Sequence, residues 1–206
     1  MSLHNSRQAT ERRILEALGA QLATQGFRGL GVNAVARRAG VSKELIYRYF
    51  GGLDALVAEF MRQRDYWMAE DARREAEAGA PEPGDPRARI RAMLSGQLRR
   101  LRAHEDLREV RRWELLDGNE ATRALADRRE RASLDFVAGL GLDDDPRAAG
   151  KIGLMLAGLL YLSLRAKTAP EFFGLDLTSD AGWDEIEAVL GEMTDRLFPG
   201  PPGGSD

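Results

Sequence analysis

This sequence predicts an all-α fold: an N-terminal three-helix unit containing a helix-turn-helix, followed by a larger helical bundle. Three observations carry that expectation. Apolar residues recur three and four apart through most of the 206-residue chain, which places them on one face of a helix. No segment sustains the apolar–polar alternation of a half-buried strand, so no strand is expected. Breaks such as Gly51–Gly52 and "GAPEPGDP" cut the periodic pattern into helix-length pieces.

The first helix carries the stripe Ile14, Leu15, Leu18 and Leu22, and Gly26 is suited to end it as a left-handed cap. Val32, Val35, Ala36 and Ala39 give a short second helix closed by Gly40. A third runs from Lys43 to about Phe50, where Gly51 and Gly52 break it. A long fourth helix is expected from Leu53 to Ala78, with Leu56, Val57, Phe60, Met61, Trp67 and Met68 on its apolar side. The loop Gly79–Pro86 contains three prolines, which forbid helix. Further helices are expected over Arg87–Ala103, Glu105–Leu116, Glu120–Leu140, Pro146–Ala169 and Trp183–Phe198. "GLDDDP" and "EFFGLDLTSDAG" separate the last three, and the tail "PGPPGGSD" is expected to be disordered. This divides the chain into a helix-turn-helix domain over 6–52, a helical bundle over 53–198 and a tail over 199–206.

The second and third helices pose a sharper question, because they are short and stand three residues apart. Two short helices joined by a tight turn containing glycine are a helix-turn-helix pattern. Gly40 supplies the positive φ that the reversal needs. Ser42 stands at the N-cap, where its hydroxyl is expected to accept a free backbone N–H. Val41 and Ile46 then occupy the two positions of a hydrophobic staple, and Ile46 and Phe50 point to the core. Lys43, Glu44, Tyr47, Arg48 and Tyr49 remain for the outer face. The first turn of such a helix reaches base edges in a major groove, and about two turns suffice for that.

Charge supports a polyanionic partner for this part of the chain only. The net charge is -3, yet residues 1–64 hold ten Lys/Arg against five Asp/Glu; the remainder holds 20 basic and 28 acidic residues. There is no cysteine, which excludes disulfides and thiolate chemistry. The start of the chain lacks the apolar stretch of a signal peptide. The most apolar run, Ile152–Leu164, is shorter than the roughly 20 residues that span a bilayer. A cytoplasmic protein with no membrane partner is expected.

Residues 10–60 resemble the N-terminal domain of the tetracycline-repressor (TetR) family of bacterial transcription factors. The resemblance rests on "GFRGLGV", "AVARRAGVS", "LIYRYF", the Gly-Gly break and "LDALVAEF", in that order and spacing. It covers about a quarter of the chain; the later helices match the family only in number, length and lack of strands. The resemblance implies a ligand-responsive DNA-binding regulator, a repressor released from a palindromic operator by a small-molecule effector. It assigns Ser42 and Tyr47 to phosphate, Lys43 and Glu44 to bases, and Asn33 to a base or phosphate. Tyr49 replaces the family's usual His and keeps one donor. Two departures stand out: Gly31 replaces a capping Thr or Ser, and Leu53 replaces a Lys that would meet phosphate. Arg28, Arg37 or Arg38 could make up the lost contact.

For the bundle, the resemblance implies an effector pocket without giving its lining. Trp113, Phe136, Met155 and Tyr161 could line a cavity, with Arg112 or Glu114 as polar anchors, or could equally be plain core. Gly150, Gly153, Ala157 and Gly158 are small residues at helical spacing, suited to a close helix contact. With Ile186, Val189, Leu190, Met193 and Leu197 of the last helix they suggest a homodimer seam, which the family also implies; packing within one subunit is the plainer alternative. His104 is expected at a helix end, and "DDDP" at a helix N-terminus, where its charge is favourable. No metal set, P-loop or G-x-G-x-x-G element can be assembled, so no cofactor is expected. Two other functions compete: an all-α enzyme using Glu109 or Glu114, and a protein-interaction module without DNA binding.

Overall fold

Helix α1 begins well before its apolar stripe, at Leu3, and runs to Gln25 in the computed structural model, which describes residues 3–26, 29–63, 85–116 and 120–198. It is followed by α2 (Val32–Ala39), α3 (Lys43–Phe50), α4 (over 53–63), α5 (Pro86–Ala103), α6 (Glu105–Leu116), α7 (Glu120–Ala138), α8 (Ala148–Arg165) and α9 (Asp180–Leu197). The loop over 79–84, the tail from 199, Trp67, Met68 and Arg28 lie outside the described residues.

The chain forms two compact units that do not follow the boundary expected at residue 52. The first takes Met1–Ala69 with Glu105–Asp127, and the second Glu70–His104 with Arg128–Asp206. The first unit is built by burying one stripe from each helix. Ile14, Leu18 and Leu22 of α1 meet Val35, Ala36 and Ala39 of α2, Ile46 of α3, and Leu56, Val57, Phe60 and Met61 of α4. Val110 and Trp113 of α6 complete this core, which is why a helix from the middle of the chain belongs to the N-terminal unit. Such a core can present only short helices outward, since α2 and α3 each contribute about one apolar stripe over two turns.

In the second unit, α8 and α9 both pack on α5. One cluster joins Ile90 and Leu94 of α5 to Ile152 and Met155 of α8, with Leu140 and Phe198. Another joins Leu98 of α5 to Leu159 of α8, to Leu177 in the segment before α9, and to Trp183 and Ile186 near the start of α9. His104 is the C-terminal cap residue of α5, its N–H donating to the Arg100 carbonyl. The Asp145 carboxylate precedes α8, accepts from the Arg147 N–H and the Lys151 Nζ, and is held below its ordinary pKa first by that lysine.

Two expectations need correction. The segment "EFFGLDLTSDAG" contains a small antiparallel hairpin, β1 (Glu171–Phe172) paired with β2 (Leu175–Asp176). Its two central residues, Phe173 (φ 50) and Gly174 (φ 81), both have positive φ, as the tightest hairpin turns require. Two-residue strands are too short to show alternation, so periodicity could not reveal them. The apolar run Ile152–Leu164 is the middle of an 18-residue helix that is long and apolar enough, by length and composition, to cross a membrane. Only one face of it is buried. Gly150, Gly153, Leu154, Ala157, Gly158 and Tyr161 form an exposed stripe on the other.

Candidate nucleic-acid interface

The turn between α2 and α3 is set by Gly40, with φ 63 and ψ 39. The Val41 N–H donates to the Ala36 carbonyl at 3.0 Å, and the Gly40 N–H to that of Arg37 at 3.3 Å. This six-to-one and five-to-two pairing is a Schellman end, which satisfies carbonyls that α2 would otherwise leave open. Gly31 is the N-cap of α2 in extended backbone and offers no side-chain cap. The turn aims α3 so that Ile46 is fully buried, while Val41, Tyr49 and Phe50 pack partly against the same core. Phe50 is thus half-buried at the rim.

Ser42, Lys43, Glu44, Tyr47 and Arg48 stand exposed on the opposite face of α3, and Asn33 is exposed early in α2. Tyr47 is 54% exposed, so its hydroxyl is open to a partner. The structure places Ser42, Lys43, Glu44, Tyr47 and Arg48 together on this face, whereas Tyr49, expected there as well, packs partly against the core. Ser42 is the N-cap residue, but its hydroxyl makes no capping bond. Glu44 stands in the first turn of α3, with its carboxylate near its own backbone N–H and the Ser42 hydroxyl. These two donors, the backbone N–H foremost, hold the Glu44 carboxyl below the usual carboxylate range. An acid near a helix N-terminus is also favoured by the helix dipole.

Two groups that sequence reading passed over shape this surface. Gln21 of α1 is buried, accepts from Arg38 Nε at 3.1 Å, and donates to Gln25 Oε1 at 2.7 Å and the Gly29 carbonyl at 3.4 Å. It ties α1, α2 and the segment between them. Arg38, one of the residues expected to replace the missing lysine, also donates to Thr24 at 3.4 Å, while Arg37 is exposed. Arg7 of α1 lies with its guanidinium 5.0 Å from the centre of the Tyr49 ring, and Arg48 lies 5.3 Å from the same ring. No local pattern marks the Gln21–Arg38 and Arg7–Tyr49 pairs, because each joins residues far apart in the chain. Leu53, where a lysine would be usual, packs partly against the core.

The six residues offered as a pocket lining divide between the units. Trp113 is core of the first unit, beside Arg112 and Glu114 on α6. There Arg112 pairs with Glu109, and Arg111 with Glu114 at 3.2 Å. Phe136 and Met155 pack in the second unit, and Tyr161 lies half-exposed on the open stripe of α8. The seam residues divide as well. Gly153, Ala157, Val189 and Met193 are exposed, whereas Ile186 is buried and Leu190 half-buried in the second unit's own core. Helical phase decides this: Ile186 and Leu190 lie one turn apart on one face, Val189 and Met193 on the next. Leu154, at 77% exposed, belongs to the open face and was not singled out. Among the described residues, no group of acidic and histidine side chains could hold a metal ion.

Comparison with known proteins agrees with the fold and with a helix-turn-helix at the N-terminal end of the chain. Residues 14–60 match the family model described as bacterial regulatory proteins, tetR family. The chain is 27% identical over 192 residues to the HTH-type transcriptional regulator BetI 1 of Chromohalobacter salexigens, covering 89% of this chain and 91% of that protein. It is 33% identical over 91 residues to the HTH-type transcriptional regulator BetI of Burkholderia mallei, covering 43% of this chain and 44% of that protein. Among solved structures, a TetR transcription regulator from Haloarcula marismortui superposes with a TM-score of 0.69 at 18% identity, covering 92% of this chain and 98% of the other. A transcriptional regulator from Saccharomonospora viridis, solved in complex with choline, gives 0.66 at 18% identity, covering 90% and 95%. At these identities the structural likeness speaks for the fold.

Proposed function

Because this chain belongs to the tetR family of bacterial regulatory proteins, we propose that it works as a homodimeric repressor whose two α3 helices read a palindromic operator until a small molecule releases them. It is a DNA-binding, ligand-responsive transcriptional regulator; the dimer, the repression and the individual contacts are our reading. One observation carries it above the others. α3 buries Ile46 and presents Ser42, Lys43, Glu44, Tyr47 and Arg48 together on one exposed face, within the segment that matches the family.

In this reading Tyr47, Ser42 and Arg48 hold phosphates and fix the register of the helix. Lys43 donates to guanine O6 or N7, and Glu44 accepts from cytosine N4–H₂. Tyr49 and Asn33 supply flanking contacts. A dimer sets the two helices in successive major grooves about 34–36 Å apart. The open stripe of α8 supports the dimer: Gly153, Leu154 and Ala157 on α8, with Val189 and Met193 on α9, expose apolar area to water. Glycine and alanine there let two helices approach closely. The same stripe accounts for the apolar character of α8 without a bilayer. An effector that binds the form with lower DNA affinity would release the operator by linkage.

The test is selection of genomic fragments with the purified protein, then binding to the recovered duplex over a range of salt. A recovered inverted repeat, bound with a steep salt dependence, supports the reading. Absence of any salt-dependent duplex binding would overturn it. Choline, held by the Saccharomonospora viridis neighbour, is the first effector to try, within a wider panel of small organic molecules.

A further inference from the structure

Arg7 and Glu11 of α1 belong to no motif of the recognition helix, yet both reach its end. Arg7 Nε donates to Glu11 Oε1 at 2.8 Å, with 56% of the arginine side chain exposed. The Arg7 guanidinium also lies against the ring of Tyr49, on which Arg48 of α3 converges as well. Glu11 and Tyr49 line one shallow cleft with Leu15, Phe50 and Glu59.

Two guanidiniums drawn to a single ring repel each other, and a neutral tyrosine does not cancel their charges. The ring face attracts each cation, and Glu11 balances only the one on α1. The arrangement sets a half-exposed cation from α1 beside the phenol donor and the arginine of α3, which suits an anionic backbone. Arginine meets phosphate oxygens with a planar fork of donors, which a lysine lacks.

We propose that Arg7 is an additional phosphate-binding residue of the DNA interface, carried to α3 on the Tyr49 ring, with the Glu11 carboxylate holding its guanidinium until a phosphate displaces it. The inference rests on the DNA-binding reading above. It extends the interface from the helix-turn-helix to the start of α1. It also gives Glu11 a role: in the free protein it orders Arg7, and at the operator it competes with DNA.

The experiment measures affinity for the selected operator, by fluorescence anisotropy from low to high salt, for the intact chain and for Arg7→Gln, Arg7→Lys and Glu11→Gln. Each lost phosphate contact flattens the plot of log K against log salt by about one unit. Arg7→Gln should therefore flatten it by about two units for a dimer on two half-sites, with the selected motif unchanged. Arg7→Lys should restore most of the slope. Glu11→Gln should bind up to about fivefold more tightly at low salt, the scale of an exposed ion pair. An unchanged slope for Arg7→Gln overturns the proposal. So does a uniform loss of affinity at every salt concentration, which would mark Arg7 as a mere support for Tyr49. If Arg7→Gln melts early, Glu11→Gln decides alone, and unchanged or weaker binding sinks the idea. If the intact chain binds no duplex, the DNA-binding reading itself has failed, and the two failures are thereby distinct.

Discussion

Arg38 of α2 donates to Gln21 of α1 at 3.1 Å, and through that bond the first helix of the helix-turn-helix is fixed to the body of its unit. Gln21 is 4% exposed, and its amide also donates toward the Gly29 carbonyl, so one buried side chain joins three segments. Gln21→Leu keeps the volume and removes the bonds. The expected cost is about 1–2 kcal/mol, because buried polar groups lose their partner. Chemical denaturation would measure it, and operator affinity should fall with it. Unchanged stability would show that Gln21 only fills space.

Gly182 and Gly153 should respond to substitution in opposite ways. A Cβ on Gly182 would sit 2.0 Å from the Asp176 carbonyl oxygen, so Gly182→Ala must push α9 away from the hairpin. A loss of about 1–3 kcal/mol or more is expected from such overpacking. A Cβ on Gly153 meets nothing within 4 Å. Gly153→Leu should leave the subunit as stable or more so, given the poor helix propensity of glycine. On the dimer reading, however, the leucine separates the two copies. Light scattering should shift from twice the 22.8 kDa chain mass toward the single mass. A persistent dimer would move the seam elsewhere.

Phe173 holds φ 50 at the tip of the hairpin and is 93% exposed. A bulky residue in that region costs roughly 1–2 kcal/mol, and asparagine adopts it far more easily. Phe173→Asn should raise the melting temperature by about 2–4 °C for a chain of this size. A fall would mean that its edge-on contact with Phe172, 4.8 Å between ring centres, contributes more than the strain removes.

On α3, Tyr47→Phe should weaken binding to all duplexes alike, since a phosphate contact carries no sequence information. Glu44→Ala should relax selection at one position per half-site, for a loss of about 1–3 kcal/mol at the preferred base. It should also loosen the start of α3, because an acid in the first turn is favoured by the helix dipole. The deprotonated carboxylate is the favoured form, so this support is present above its unfolded pKa and fades as pH falls through the lowered folded value. Binding-site selection on both variants at fixed salt separates the roles. A motif altered by Tyr47→Phe but not by Glu44→Ala would mean that the helix is rotated in the groove.

The sequence by itself determined the helices, the turn at Gly40 and the outward face of α3. These depend on local physics: apolar spacing fixes which side of a helix is buried, and glycine supplies the positive φ of a tight reversal. Tertiary structure decided what joins residues distant in the chain. It placed Trp113 in the core of the first unit rather than with Phe136 and Met155. It turned Ile186 inward while leaving Val189 and Met193 exposed, a difference of helical phase that composition does not carry. It drew Arg7 to Tyr49 and Gln21 to Arg38. Such contacts have no sequence period, because their geometry arises only when several helices pack at once.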